Sequence, residues 1–167
     1  MTVAVPGMDL ASLVADATAA GLTVATAESL TAGLLAATLV EVPGASGMLN
    51  GGVIAYQNEV KVRALGVSAE LLAERGAVDA QVACAMALGA CHVVGARVGL
   101  STTGVAGPEP HQGKAVGHVF IGVAIDGEVQ AYEYHFGGDR TMIRQQAVDE
   151  ALALLQQVVA AAREQKL

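Results

Sequence analysis

Short runs of Ala, Val, Leu and Ile along the chain alternate with segments whose apolar residues recur at helical spacing, and turn residues mark nearly every change of period. Residues 8–20, "MDLASLVADATAA", keep a helical repeat and stop at Gly21, a residue suited to a helix C-terminus. Leu22 to Thr26 reads as a strand, and the Ala/Leu run after Gly33 reads as a helix. "EVPGASGMLNGG" is expected to be a loop, followed by a short strand over 52–57, "GVIAYQ". "NEVKVRALG" then gives a short helix or turn carrying Lys61. Ser68, with Glu70 in the first turn and Gly76 beyond the end, opens another helix. Asp79 caps a longer one over about 80–95, with Val82, Met86, Ala90 and Val93 in helical period. "VGLSTTG" reads as a buried strand. "GHVFIGVAI" and "VQAYEYHF" are strands joined by Asp126-Gly127, a two-residue hairpin signal. "GGDR" leads into a helix over 140–164, with Ile143, Ala147, Leu152 and Leu155 on its core face.

This order predicts an α/β fold, a three-layer α/β/α sandwich around a mixed, mostly parallel sheet. The hairpin imposes at least one antiparallel pair. With 167 residues, and no linker or repeat, one domain over 1–167 is expected.

Composition narrows the function classes. Hydrophobic residues are 53% of the chain but aromatics only 3%, and the small side chains suit close packing of helix on sheet. A formal charge of −7 argues against direct nucleic-acid binding, which needs a basic stripe. Lys61, Arg63, Lys114, Arg140 and Arg144 are scattered, leaving room for a local cation to hold a small anion. No apolar run reaches about 18 residues, so no membrane span is expected. The opening "MTVAVPGMDL" lacks the basic start of a secretory signal, which makes the cytoplasm the expected location. Cys84 and Cys91 lie two helical turns apart, too far for a disulfide within one helix, and read as small core residues.

Candidate chemistry clusters where strands end. Glu28-Ser29-Leu30-Thr31, Tyr56 to Lys61, and Thr102 to Pro108 each lie where a predicted strand ends and a turn follows. In α/β sheets ligands bind in the crevice beyond the carboxyl ends of the strands. If these strands are parallel neighbours, Ser29, Tyr56, Lys61 and Thr103 converge. A serine hydroxyl alone is a poor nucleophile, but a desolvated lysine can take its proton, and a nearby phenol can orient that transfer. The plainer alternatives are Ser29 or Thr31 as a helix cap, Lys61 as a solvated surface lysine and Tyr56 as a core residue. In "FGGDRTMIRQ", the amides of Gly137 and Gly138 with Arg140 at a helix N-terminus suggest a phosphate seat; an ordinary helix capped by Asp139 is the other reading. No phosphate loop and no G-x-G-x-x-G follows the first strand. His92, His111, His118 and His135 show no ligand spacing, so neither a metal nor a cofactor is expected.

Six ordered blocks, "AESLTAGLLAATL", "VPGASGMLNGGVIAYQNEVKVRALGV", "GAVDAQVACAMALGA", "TTGVAGP", "GHVFIGVA" and "GGDRTMIRQQAVDEAL", resemble the signature blocks of the CinA C-terminal domain family. The resemblance implies the α/β/α fold, commonly a homodimer, and a nicotinamide-nucleotide amidase that hydrolyses nicotinamide mononucleotide to nicotinate mononucleotide and ammonia, without a metal, in pyridine-nucleotide salvage. It further implies Ser29 as nucleophile, Lys61 as base and Tyr56 as a supporting hydroxyl, with Glu28, Thr31, Gly33, Asn58, Thr103, Gly104 and Arg140 as substrate-binding residues. Backbone amides at the start of the helix after Ser29 are expected to stabilise the oxyanion. The chain departs from the family pattern at Leu30 for Cys, Ala32 for Gly and Gln57 for Ser. Glu109-Pro110-His111-Gln112 stands where a glycine-rich run is usual, and its carboxylate is expected to disfavour a phosphate. A non-catalytic nucleotide-binding or interaction module is therefore the alternative.

Overall fold

The computed structural model describes residues 7–165, so Met1 to Pro6, part of the stretch read for a secretory start, lie outside the described residues. Four helix starts follow the capping chemistry of the sequence. Asp9 Oδ1 accepts from the amides of Ala11 and Ser12 at α1 (Leu10–Ala19). The other three caps are Ser68 at α4 (Ala69–Arg75), Asp79 at α5 (Ala80–Val94) and Asp139 at α6 (Arg140–Glu164). Two helices begin without a side chain from the cap position, α2 (Leu34–Val40) and α3 (Asn58–Leu65). Both border the candidate site.

Five strands, β1 (Val24–Glu28), β2 (Leu49–Ile54), β3 (Val98–Gly104), β4 (His118–Ile125) and β5 (Glu128–His135), form one sheet in the order β2-β1-β3-β4-β5. β2, β1 and β3 are parallel, while β4 pairs antiparallel with both neighbours, so β4 alone runs against the other four. The hairpin turns at Asp126-Gly127 as its dipeptide predicts, pairing Ile125 with Glu128. Helices α1, α2 and α6 cover one face through Leu13, Leu35, Ile143 and Leu152, and α3, α4 and α5 cover the other through Leu65, Leu72, Val82 and Met86. The mixed-sheet α/β expectation therefore holds.

Two local readings are corrected. β2 starts at Leu49, inside the stretch expected to be loop, and ends at Ile54 rather than Gln57. Its glycines reflect crowding: a Cβ on Gly52 would sit 2.2 Å from Thr26 Oγ1 on β1. Val93 keeps helical period but is 52% exposed, while its neighbour Val94, the last residue of α5, packs against the core.

β1 lies between β2 and β3, so the chain leaves β1 through α2 to reach β2 and later crosses back to β3. This reversal of strand order opens a crevice at the C-terminal end of β1. Ser29 is the next residue.

Candidate active site

Ser29 follows β1 directly and is tied to β3 through its amide, which donates to Thr102 O at 3.0 Å. The turn behind it is tight. Ala32 and Gly33 both adopt positive φ, +48° and +97°, before α2 begins. The Ala32 methyl is tolerated in this left-handed position at some cost in strain.

Lys61 comes from α3, whose first turn lies just beyond the end of β2. Its side chain is 1% exposed, which overturns the reading of a solvated surface lysine. The ammonium has three partners: Ala55 O at 2.8 Å, Ser29 Oγ at 3.1 Å and Tyr56 O at 3.2 Å. No carboxylate pairs with it among the described residues. Burial without a counter-charge disfavours the ammonium and pushes its pKa down from 10.5 to about 8. The partner set then fixes where the lone pair goes. Two of the three partners are carbonyls, which can only accept, so a neutral amine gives them its two hydrogens. Its lone pair is left for Ser29, the one partner with a proton to donate.

The pair lies on the wall of a cavity of about 940 Å³ that also includes Tyr56, Asn58, Thr103, Gly104 and Arg140. Seven of the ten predicted site residues are thus gathered, though not all in the expected roles. The Tyr56 hydroxyl does not face Ser29; it accepts from Arg140 Nη2 at 3.1 Å, and it is the Tyr56 carbonyl that meets Lys61. Thr103 Oγ1 donates to Ala77 O at 2.7 Å. Gly104 is needed for packing, since a Cβ there would lie 2.6 Å from Val119 Cγ2 on β4. Arg140 donates to Gly107 O at 2.7 Å, bracing the loop between β3 and β4, and keeps further N–H groups free of these two bonds. The N-terminus of α6 is occupied by Asp139, whose Oδ1 accepts from the Met142 amide, so the helix end is no open phosphate seat. The loop residues Glu109, Pro110, His111 and Gln112 form the outer wall.

Glu28, Thr31 and Gly33 do not line the cavity. Glu28 is 1% exposed and runs under the turn to cap α2: Oε1 accepts from Thr31 Oγ1 at 2.7 Å and the Leu35 amide at 2.8 Å, and Oε2 accepts from Thr26 Oγ1 and the Ala36 amide. Thr31 gives its hydrogen to Glu28 and so accepts from Thr102 Oγ1 at 2.7 Å. These residues support the turn rather than touch a ligand. The expected oxyanion donors at the start of α2 are corrected for the same reason, because the Leu35 and Ala36 amides are already bound by Glu28. In the turn itself the amides of Leu30 and Thr31 have no acceptor among the described residues.

Sequence reasoning missed Arg144. One turn beyond Arg140 on α6, it reaches across the face to donate to Leu30 O at 2.8 Å and Thr31 O at 3.1 Å. It clamps the two residues that follow the serine. Its spacing from Arg140 was visible, but its target lies more than a hundred residues away.

The chain has counterparts of similar sequence and fold among known proteins. The family model described as the CinA C-terminal domain matches residues 9–159. A CinA-like protein of Frankia casuarinae is 48% identical over 138 residues, which is 83% of this chain and 32% of that protein. Among solved structures, the competence/damage inducible protein CihA of Agrobacterium tumefaciens aligns with a TM-score of 0.83 at 39% identity, covering 89% of this chain and 94% of the other. A CinA superfamily protein of Klebsiella pneumoniae aligns with a TM-score of 0.87 at 30% identity, covering 92% and 99%. The chain spans about a third of the length of the curated relatives it matches. By family match, identity and fold alike, this chain belongs to the CinA C-terminal domain family.

Proposed function

We propose that the protein is an amidohydrolase that converts nicotinamide mononucleotide to nicotinate mononucleotide and ammonia through Ser29 and Lys61. The observation that carries this reading is a buried, carboxylate-free lysine whose neutral form must point its lone pair at a serine on a cavity wall. The carboxamide substrate follows from the family resemblance, and a cavity of about 940 Å³ is of nucleotide-binding size.

In the first half-reaction Lys61 takes the Ser29 proton as Oγ bonds to the carboxamide carbon. The developing oxyanion is met by the Leu30 amide, in the turn that lines the cavity. As the tetrahedral intermediate collapses, the C–N bond breaks and Lys61 returns the proton to the departing nitrogen, which leaves as ammonia. Water then attacks the acyl-serine, losing a proton to Lys61, and the acid is released as Ser29 regains its hydrogen. Arg140 holds the phosphate with its remaining donors. With a lysine pKa near 8, about a quarter of the molecules carry the neutral base at pH 7.5.

Purified protein incubated with nicotinamide mononucleotide is expected to release ammonia, and Ser29→Ala to abolish the release. Absence of turnover in the wild type, or full turnover in Ser29→Ala, rejects the reading. The exposed Glu109 on the outer wall favours one alternative, a module that binds a nucleotide without hydrolysing it. Calorimetry separates the two, since tight binding without product belongs to the module alone.

A further inference from the structure

Outside the cavity, three side chains draw together on one face of the β4–β5 hairpin. His118 and His135 are directly opposed across the strands, and Glu133, two residues before His135, lies on the same face. The two imidazoles stack with centroids 4.5 Å apart. Glu133 Oε1 lies 2.7 Å from His118 Nε2 and 3.5 Å from His135 Nε2, and one ligand atom from each residue falls within 4.8 Å of the others.

We propose that His118, Glu133 and His135 form a binding site for a first-row divalent cation that favours imidazole, with Zn²⁺ as the best match. Two imidazole nitrogens and a carboxylate oxygen are a donor set of this class, with water completing the shell. With bonds of about 2.0–2.1 Å, a tetrahedral site sets neighbouring donors roughly 3.3–3.5 Å apart. The His135–Glu133 separation already has that value, and the His118–Glu133 contact needs to open by less than about an ångström. Exposure is divided as such a site requires. The His118 side chain is 11% exposed and held against the Phe120 ring at 5.0 Å, so one ligand is fixed in place. Glu133 and His135 are 53% and 68% exposed and give the ion its path of entry.

None of the three residues lines the cavity, so this site is separate from the serine and lysine. It sits at the open end of the hairpin, where the Val105 amide donates to His118 O at 2.9 Å and the Phe136 amide to Gly117 O at 2.8 Å. A bound cation staples edge strand β5 to β4 at the point where the loop walling the cavity rejoins the sheet.

The test uses tag-free protein stripped with a chelator and titrated with Zn²⁺ by calorimetry, with Mg²⁺ and a His92→Ala variant as controls. The expected result is one saturable event in the low micromolar range or tighter, a thermal midpoint that rises with Zn²⁺, and no heat with Mg²⁺. His135→Ala and Glu133→Gln, both at exposed positions, should each weaken binding about tenfold or more, while His92→Ala leaves it unchanged. No saturable binding up to about 1 mM, or equal affinity in His135→Ala, overturns the proposal.

Discussion

Near the C-terminal ends of β1 and β2 the protein buries one ionisable side chain each, Glu28 as the last residue of β1 and Lys61 from α3, both 1% exposed. Around Glu28 every partner is a donor: two threonine hydroxyls and two helix amides fill its acceptor sites and bind α2 to the sheet. Around Lys61 two partners are fixed acceptors and the third, Ser29, can either accept or donate. The first environment uses the oxygens of the carboxyl group as acceptors and holds the side chain still. The second lets the proton count change while every hydrogen bond remains possible. A buried charge is thus read as strut or reagent from the donor and acceptor character of its neighbours, rather than from its burial.

The sharpest way to break this contrast is at the reagent. Ser29→Ala is expected to lower the rate of ammonia release by about 10⁴-fold or more while leaving unfolding by urea nearly unchanged. Lys61→Met should bring a comparable loss. The strut should behave in the opposite sense. Glu28→Gln places an amide NH₂ among donors and should cost about 3 kcal/mol of stability in urea titrations, with activity per folded molecule falling far less than in Ser29→Ala.

A third test uses pH. Between about 8 and 10.5 the unfolded chain keeps a proton on Lys61 that the folded chain has shed. Stability from this group therefore rises with pH across that window, by up to about 3 kcal/mol, and is lost as pH falls through 8. The difference between wild-type and Lys61→Met unfolding curves should follow that limb, and kcat/KM should climb to a plateau above about pH 8. The smallest effect is expected at Arg144. Removing its clamp on Leu30 and Thr31 by Arg144→Ala should lower kcat about tenfold with little change in KM, because the turn proposed to carry the oxyanion donor loosens while the proposed Arg140–phosphate contact is untouched.

The elements were legible wherever a local rule decides them. Ser68, Asp79 and Asp139 cap their helices as their positions predict, and Asp126-Gly127 sets the hairpin. β2 was legible only in part, since Gly52 signals loop by composition but serves close approach to Thr26. At the site, the convergence of Ser29, Tyr56, Lys61 and Thr103 followed from strand ends alone. The direction of each side chain did not, so Glu28 and Thr31 were assigned to substrate although they turn beneath it. The pairing of His118 with His135 is not legible from spacing along the sequence, because seventeen residues separate the two. The two-residue turn fixes a register in which they oppose each other across the hairpin.

The most direct measurement is the titration of Lys61 itself, followed at its Cε by ¹³C NMR. Lys114 and Lys166 are the only other lysines in the sequence, so the assignment needs just a Lys61→Met spectrum. One resonance with a midpoint near 8, absent from that variant, is the expected result. Three lysines all titrating at about 10 or above would mean that the amine beside Ser29 is charged at neutral pH, and that it cannot serve as the base.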